Sequence, residues 1–478
     1  MVVVGAGISG LAAAHELLRV STADEWTGPE VVVTVLESDE RVGGKIRTSR
    51  FAGINDPNGI DEGADAYLAR IPHAVRLARE VGLGDDLTNP RSGHAAVMHG
   101  GLQRIPDGLL LGVPTGVMSL ARSPLMSWRG KVRAALEPVL PSSGSHHDSI
   151  GTFVRQRFGK EVHQLLVDPL VGGIYASDTD DFSLEMVPQL HDLSHGRSVL
   201  LAARRKSAAT PKSSGAPAPV FETPRQGVGA LVEATARAVA SMGGDVRTSS
   251  RVESIVRSTN SYRVEFSRDG VHESIDADAV IVTSPGAQSG RMLRDLDRES
   301  ADSFGAVERA SVVMVTLKTA EVAPSSLSGL SGYLVPKPDQ RRVTAVSFGS
   351  NKWAHWRPTD GTMVMRVSLG RDGVPTHDLV HEWSDERLVA CVVDEVSAHT
   401  GFAFTPETVR VTRWDGAFPQ YRPGHGGRIA EIERRLATSA PGVVLAGASV
   451  RGIGIPACVG QGRTAAETTL ARLVDLRN

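Results

Sequence analysis

The chain has 478 residues, room for about three domains at roughly 150 residues each, so its cores need no disulfide or metal to hold them. Fifty-two Lys and Arg against 54 Asp and Glu give a formal net charge of −2, which excludes the broad basic footprint of a nucleic-acid binder and leaves any anionic partner to a local cluster. Cys391 and Cys458 are far apart and form no CxxC pair, which speaks against a disulfide framework and a thiolate zinc site and fits a reducing cytoplasmic setting; no run nears the ~18 apolar residues of a membrane span.

"VVVGAGISGLAAAHELL" reads as a short apolar strand, a glycine turn and an Ala/Leu-rich helix, and "EVVVTVLESD" (30–39) supplies the next strand. The chain starts inside that first strand, so its beginning is expected to be either very economical or trimmed. From "HAVRLAREVGL" (73–83) to about 205 the pattern predicts mostly helix, with 119–140 its most apolar and basic part. His146 and His147, beside "PSSGS", read as solvated, and no ligand spacing points to a metal. "RRKSAATPKSSGAPAP" (204–219) has the composition of a mobile loop. Beyond it, 227–244 predicts an amphipathic helix with a glycine stop, and 245–285 alternates at period two with turns at "STNS" and "RDG". Further strands are expected at 311–317 and 343–349, a helix at 378–400, and a closing strand "GVVLAGA" (442–448) before a glycine-rich loop and the last helix.

Gly5, Gly7 and Gly10 form G-x-G-x-x-G after a strand and at the start of a helix. That spacing provides a tight turn, close backbone approach to a pyrophosphate and close helix–strand packing. Ala6, Ile8 and Ser9 complete the loop, whose anion would sit on the helix N-terminus. Glu37, at the end of the second strand, is placed to accept from ribose hydroxyls, and an acid there disfavours a 2′-phosphate. No nucleophile–base constellation stands out, so no catalytic side chain is nominated.

The run "ESDERVGGKIRTS" (37–49) resembles the E-x-x-x-R-x-G-G-x-x-x-[ST] continuation of FAD-binding, amine-oxidase-like flavoproteins. The resemblance implies FAD rather than NAD, with Ser38, Arg41, Gly44 and Lys45 near its phosphates and ribityl chain. It implies that in "IDEGADAYL" (60–68) the backbone of Gly63, Ala64, Asp65 and Ala66 runs along the flavin, and that Val252 pairs its main chain with the adenine. Gly447 would lie at the pyrophosphate and ribityl region, with Ile453, Gly454 and Ile455 at the ring; the last helix points its positive end at the N1–C2 carbonyl region. The implied fold is α/β. A Rossmann-like FAD-binding domain is built from discontinuous segments (1–68, 221–290 and 410–478), beside a mixed-sheet substrate-binding domain (69–87 and 291–409). A mostly helical domain (88–205) and a flexible loop (206–220) complete it.

Within that group, "RIPDGLLLGVPT" (104–115), "DPLVGGIYASDTDDFSL" (168–184), "FETPRQGVGALVEA" (221–234), "VIVTSPG" (280–286), "WDGAFPQYRPGH" (414–425) and "LAGASVRGIGIPACVGQG" (445–462) resemble, in order, the porphyrinogen oxidases of haem synthesis. This implies oxidation of coproporphyrinogen III, or alternatively protoporphyrinogen IX, with O2 as acceptor, and a transient hand-over to a ferrochelatase. Trp414 joins the implied cofactor contacts. Gly173, Ile174 and Tyr175 are implied at the macrocycle, Arg70 is a candidate for a propionate, and the basic run 204–206 offers further cations. The stretch 119–140 reads either as an interfacial helix or as a cover for the substrate cavity; neutral overall charge and Pro124 favour the cavity and leave membrane contact at most peripheral. Another flavin amine oxidase, a carotenoid-type desaturase, or a non-catalytic binding protein like the inhibitors that escort prenylated GTPases would share the cofactor signature.

Overall fold

The opening valines carry no polar side chain on either face, which suits a strand covered on both sides. In the computed structural model of the chain, Val2–Val4 is the middle strand of a five-stranded parallel sheet. The structure describes residues 1–91, 93–140, 148–209 and 219–475. The strand order is Asp245–Arg247, Thr34–Leu36, Val2–Val4, Val280–Val282 and Val443–Leu445. Early strands lie on one side of Val2–Val4 and late ones on the other, so the crevice beyond its C-terminal end is the switch point where open α/β sheets bind ligands. The second strand is shorter than the expected 30–39.

Helix Ile8–Ser21 is buried from Ile8 to Leu18 because it lies between Gly229–Ser241 and the 21-residue helix Ile455–Asp475, with the sheet beneath. The opposite sheet face is covered by the antiparallel strands Ser250–Arg257, Tyr262–Arg268 and Val271–Ala277 and by helix His425–Ser439.

A seven-stranded mixed sheet forms the second body. Its order is Pro406–Pro419, Arg309–Val322, Thr362–Leu369, Val343–Ser347, Leu330–Leu334, His94–Met98 and Leu102–Arg104. Helix Asp385–Thr400 buries Leu388, Val392 and Val396 against it. The last two strands correct the expected helical reading from residue 88. Gly100 and Gly101 take positive φ, which closes a hairpin that the helical spacing masks, and His94–Met98 pairs in parallel with a strand more than 230 residues later. The expected helix over 378–400 is also divided: the turn Asp378–Glu382 ends at Trp383, and a new helix starts where Ser384 Oγ accepts from the Arg387 N–H at 3.3 Å.

Helices from Val117 to Ala209 surround Phe153, Phe158, Leu166, Phe182 and Leu190, joined by Tyr421 from outside the segment. Helix Val199–Ala209 runs past the expected boundary at 205; residues 210–218 of the expected loop lie outside the described residues, as do His146 and His147.

Candidate active site

The first glycine loop makes the tight turn and the close helix–strand contact that its spacing predicts. Gly5 has φ +101° and Gly10 packs where a Cβ would strike the Gly5 carbonyl, so helix Ile8–Ser21 sits hard against the strand end. Around Gly7, by contrast, nothing stands within 4 Å of an added Cβ. Glu37 fixes this loop from below: its carboxylate accepts from the Ala6 N–H at 2.7 Å, the Asp39 N–H at 3.0 Å and the Ser38 hydroxyl at 3.2 Å. Gly43 bridges to Gly7 and donates its N–H to the Ala6 carbonyl at 2.8 Å, which brings the second glycine pair against the first loop. Arg41 shapes that pair by donating to the carbonyls of Val42, Gly44 and Ile46.

The C-terminal glycine loop meets the same crevice. Gly447, φ +103°, follows the last parallel strand, and a Cβ there would come 3.2 Å from the Thr283 carbonyl. Gly454 precedes the helix that starts at Ile455, and an added Cβ there would have only Pro456 Cδ nearby, at 3.9 Å. Open space thus borders Gly7 at one glycine loop and Gly454 at the other.

Between this end of the Rossmann sheet and the seven-stranded sheet lies a cavity of about 550 Å³. One wall is Lys45, Gly63, Ala64, Trp414, Ile453 and Ile455; facing it are Gly172, Gly173 and Ile174 of helix Asp168–Tyr175 and, from the sheet, Met314, Leu334 and Phe418. Ile174 is 46% exposed because it stands open to this space. Trp414 Nε1 donates to the Glu62 carbonyl at 3.3 Å and its ring lies 3.3 Å from where a Gly63 Cβ would stand, so a larger residue at 63 would push the ring. Lys45 Nζ donates to the Ala417 carbonyl; Lys45 is solvent-accessible at the cavity wall yet densely surrounded by protein, and burial draws its ammonium down to about 8.

Two buried ion clusters stiffen the walls. Asp65 accepts from Lys352 Nζ at 3.0 Å on both oxygens, from Trp353 Nε1 at 3.0 Å, and from Arg366 at 3.2 Å. Burial by itself raises this carboxyl, but the two cations outweigh it and hold it well below the usual carboxylate range. On the other wall Asp168 takes a bidentate pair from Arg371, at 3.0 and 2.8 Å, and Arg371 also donates to the Ser177 carbonyl. Arg371 explains Gly172, where an added Cβ would stand 2.8 Å from its Nη2.

Of the residues expected at the cofactor, Lys45, Gly63, Ala64, Trp414, Ile453 and Ile455 line the cavity, and Gly5, Ala6, Gly7, Ile8, Ser9, Gly10, Glu37, Gly44 and Gly447 gather at the crevice. Ala66 packs beside Trp353 and Trp356, and the Asp65 side chain turns into its ion cluster. Val252 is a core residue beside Val2, Val4 and Leu36, at a bulge that shifts the register between Val252 and Ser254. Gly173 and Ile174 reach the cavity, but Tyr175 does not: its ring packs on Phe182 at 4.8 Å, because the helix turns it into the apolar cluster while its neighbours face the opening. Arg70 is exposed and absent from the lining, on the turn before helix Pro72–Glu80. Arg204 and Arg205 are likewise exposed away from the lining. The stretch 119–140 does not cover the cavity; Trp128, Val132, Leu136 and Val139 stand exposed. Lys352, Arg366 and Arg371 line the cavity and were not foreseen. For Arg366 a signal existed, a lone charge inside the apolar run "TMVMRVSL".

The model of the flavin-containing amine oxidoreductase family matches residues 8–470. The chain belongs to that family. A coproporphyrinogen III oxidase of Bacillus subtilis (strain 168) is 32% identical over 99% of this chain and 98% of its own length, and one of Propionibacterium freudenreichii subsp. freudenreichii is 31% identical over 98% and 90%. The crystal structure of a candidate protoporphyrinogen oxidase from Exiguobacterium sp. 255-15 superposes with a TM-score of 0.82 at 27% identity, covering 98% of each chain. As a family member the chain is a flavin-dependent oxidase with FAD as cofactor. The residues present fit that group, with an acid and two glycine loops around a helix N-terminus, open space beside Gly7 and Gly454, and a cavity beyond. No helix among the described residues is long and apolar enough to cross a membrane.

Proposed function

We propose that this flavin-dependent oxidase converts coproporphyrinogen III to coproporphyrin III in cytoplasmic haem synthesis. The carrying observation is the cavity itself: apolar side chains and the glycines Gly172, Gly173 and Gly332 line the space beside the cofactor segments, so backbone can lie close to a flat, largely apolar macrocycle. The full-length likeness to coproporphyrinogen III oxidases supports the substrate choice. FAD held there would supply the redox chemistry: three two-electron oxidations of the macrocycle, with the electrons passed to three O2 to give three H2O2, and a tautomerisation to complete the aromatic ring.

The chain's own residues bind, orient and exclude water. Gly5 to Gly10, Glu37, Ser38, Arg41, Gly44 and Gly447 hold the dinucleotide, with the Val252 main chain at the adenine. Lys45, Gly63 to Ala66, Trp414 and Ile453 to Ile455 set the ring, and Gly173 and Ile174 bear on the substrate. No side chain takes a proton-transfer role in this reading. Peripheral contact with a bilayer is supported by the exposed stripe Trp128, Val132 and Leu136, flanked by Arg129 and Lys131. Hand-over of the product to a ferrochelatase completes the proposal.

Anaerobic mixing of the yellow protein with each porphyrinogen tests the substrate. Coproporphyrinogen III is expected to bleach the flavin rapidly and protoporphyrinogen IX slowly. The reverse order would favour the second reading, which the Exiguobacterium structure supports, and peroxide formed from amines but from neither porphyrinogen would remove both.

A further inference from the structure

The segment that carries Gly63 and Ala64 has little regular structure of its own, only the two-residue strands Ile60–Asp61 and Tyr67–Leu68. What fixes it comes from the seven-stranded sheet. Arg366 rises from the buried strand Thr362–Leu369, is 7% exposed, and donates through Nη1 to the Asp61 carbonyl at 3.2 Å and the Gly63 carbonyl at 2.5 Å. Its Nη2 reaches Asp65 at 3.2 Å, so one planar guanidinium ties three points within five residues. The Trp356 ring supports it from 5.3 Å. Lys352, from the short helix Gly349–Lys352, supplies the second cation on Asp65.

We propose that Arg366, with Asp65 as its counter-ion, is a positioning residue for the cofactor wall and sets the reduction potential of the bound flavin. Arg366 and Lys352 line the same cavity as Gly63 and Ala64, so their charge is held in the low-dielectric wall rather than screened at the surface. The carboxylates facing them are Asp65 and, behind the segment, Asp61, which accepts from the Thr48 hydroxyl and the Val228 N–H. Arg410, which donates to the Ile60 carbonyl, and the buried Glu62, paired with Arg47, stand beside the same segment, so opposed charges nearly balance around it. Reduction places negative charge on the isoalloxazine, so removing a carboxylate favours the reduced form and removing a cation disfavours it.

The holoenzyme tests this by anaerobic redox titration alongside FAD dissociation constants. Asp65→Asn is expected to raise the midpoint potential and Arg366→Gln to lower it. Arg366→Lys keeps the charge but cannot span both carbonyls and the carboxylate, so it should hold a near wild-type potential while binding FAD about tenfold more weakly. Lys352→Met guards against loss of cofactor from the Arg366 variants: it leaves the carbonyl clamp intact and is expected to lower the potential with little change in FAD affinity. Shifts of Asp65→Asn and Lys352→Met in the same direction, or unchanged potentials in both, would overturn the proposal, since simple loosening of the wall moves every variant toward free flavin.

Discussion

The cavity lies between two anchored walls that use the same chemistry to different ends. Arg366 and Arg371, five residues apart on one strand and its exit, each hold a buried aspartate on an opposite side: Asp65 on the cofactor wall and Asp168 on the wall of helix Asp168–Tyr175. On the cofactor wall the arginine also grips backbone carbonyls of the segment that lines the cavity, whereas Arg371 grips the Ser177 carbonyl behind Gly172. The second wall is also tied outward, because Lys337 bridges Asp168 at 3.7 Å to Asp178 at 2.5 Å and Asp180 at 3.5 Å. In the proposed reading, one anchor would govern how the cofactor is held and the other how wide the slot for substrate is.

The largest effect should come from filling the space that the cofactor wall leaves open. Gly454→Leu meets only Pro456 Cδ at the position of its Cβ, so the chain should fold yet purify colourless, with a melting temperature equal to that of FAD-stripped wild type. Gly172→Leu is the counterpart on the other wall. It collides with Arg371, costs about 1–3 kcal/mol by overpacking, and should keep its flavin while KM for the porphyrinogen rises. Loss of flavin from Gly172→Leu, or a yellow and active Gly454→Leu, would break the division between the walls.

Next in size is the anchor itself. Arg371→Met leaves the fully buried Asp168 with Lys337 as its remaining cation, and breaking such a pair costs about 3–5 kcal/mol. Asp168→Leu with Arg371→Met, which removes both charges, should recover most of that loss in urea unfolding. FAD affinity should be unchanged in both variants, since neither touches the cofactor wall.

The two walls also differ in how far the sequence reveals them. Gly5, Gly7, Gly10, Glu37 and the run through Lys45 are local: their spacing encodes one turn, one helix start and one acid, and in the structure these meet at one crevice. The other wall is made of residues brought together by sheet register. Nothing near Arg371 in sequence announces Asp168, 203 residues away. The strands His94–Met98 and Leu102–Arg104 were hidden for the same reason, since their partner strand is distant and their apolar spacing mimics a helix. Tyr175 and Ile174 show the limit most sharply. Adjacent in one motif, they point about 100° apart around a helix, and only the packing of Phe182 and Tyr421 decides which one meets the cavity.

A smaller and pH-dependent effect separates the walls' second carboxylates. Asp178 and Asp180 stay partly exposed, with side chains 19% and 38% accessible, but Asp61 is buried, and burial lifts it to about 6 against the opposing pull of Thr48 and Arg366. In the unfolded chain the group titrates near 4. Between about 4 and 6 the folded state therefore holds the extra proton, so Asp61 lowers stability as pH rises through that window, and its cost is complete above it. Asp61→Asn keeps an oxygen to accept from Thr48 and Val228 and should gain up to about 3 kcal/mol at pH 8, shrinking to nothing near pH 4. A gain that is flat with pH would mean that packing, not ionisation, is being measured.

The smallest change in stability is expected outside both walls. Trp128, Val132 and Leu136 repeat every four residues on helix Trp128–Ala135 and its cap, 70%, 50% and 48% exposed, while Gly130 and Ala134 face inward. Arg129 stacks on Trp128 at 5.5 Å, Arg122, Lys131 and Arg133 lie in the same stretch, and its acid, Glu137, is fully buried against Arg157. Trp128→Ser removes apolar surface that touches no core, so unfolding should shift by less than about 0.5 kcal/mol, with porphyrinogen turnover and FAD content unchanged. If the stripe meets an anionic bilayer, wild type sediments with phosphatidylglycerol vesicles at low salt and the variant does not. Turnover that falls with Trp128→Ser in the absence of vesicles would place this helix back in the substrate path and undo the separation of the cavity walls from the exposed stripe.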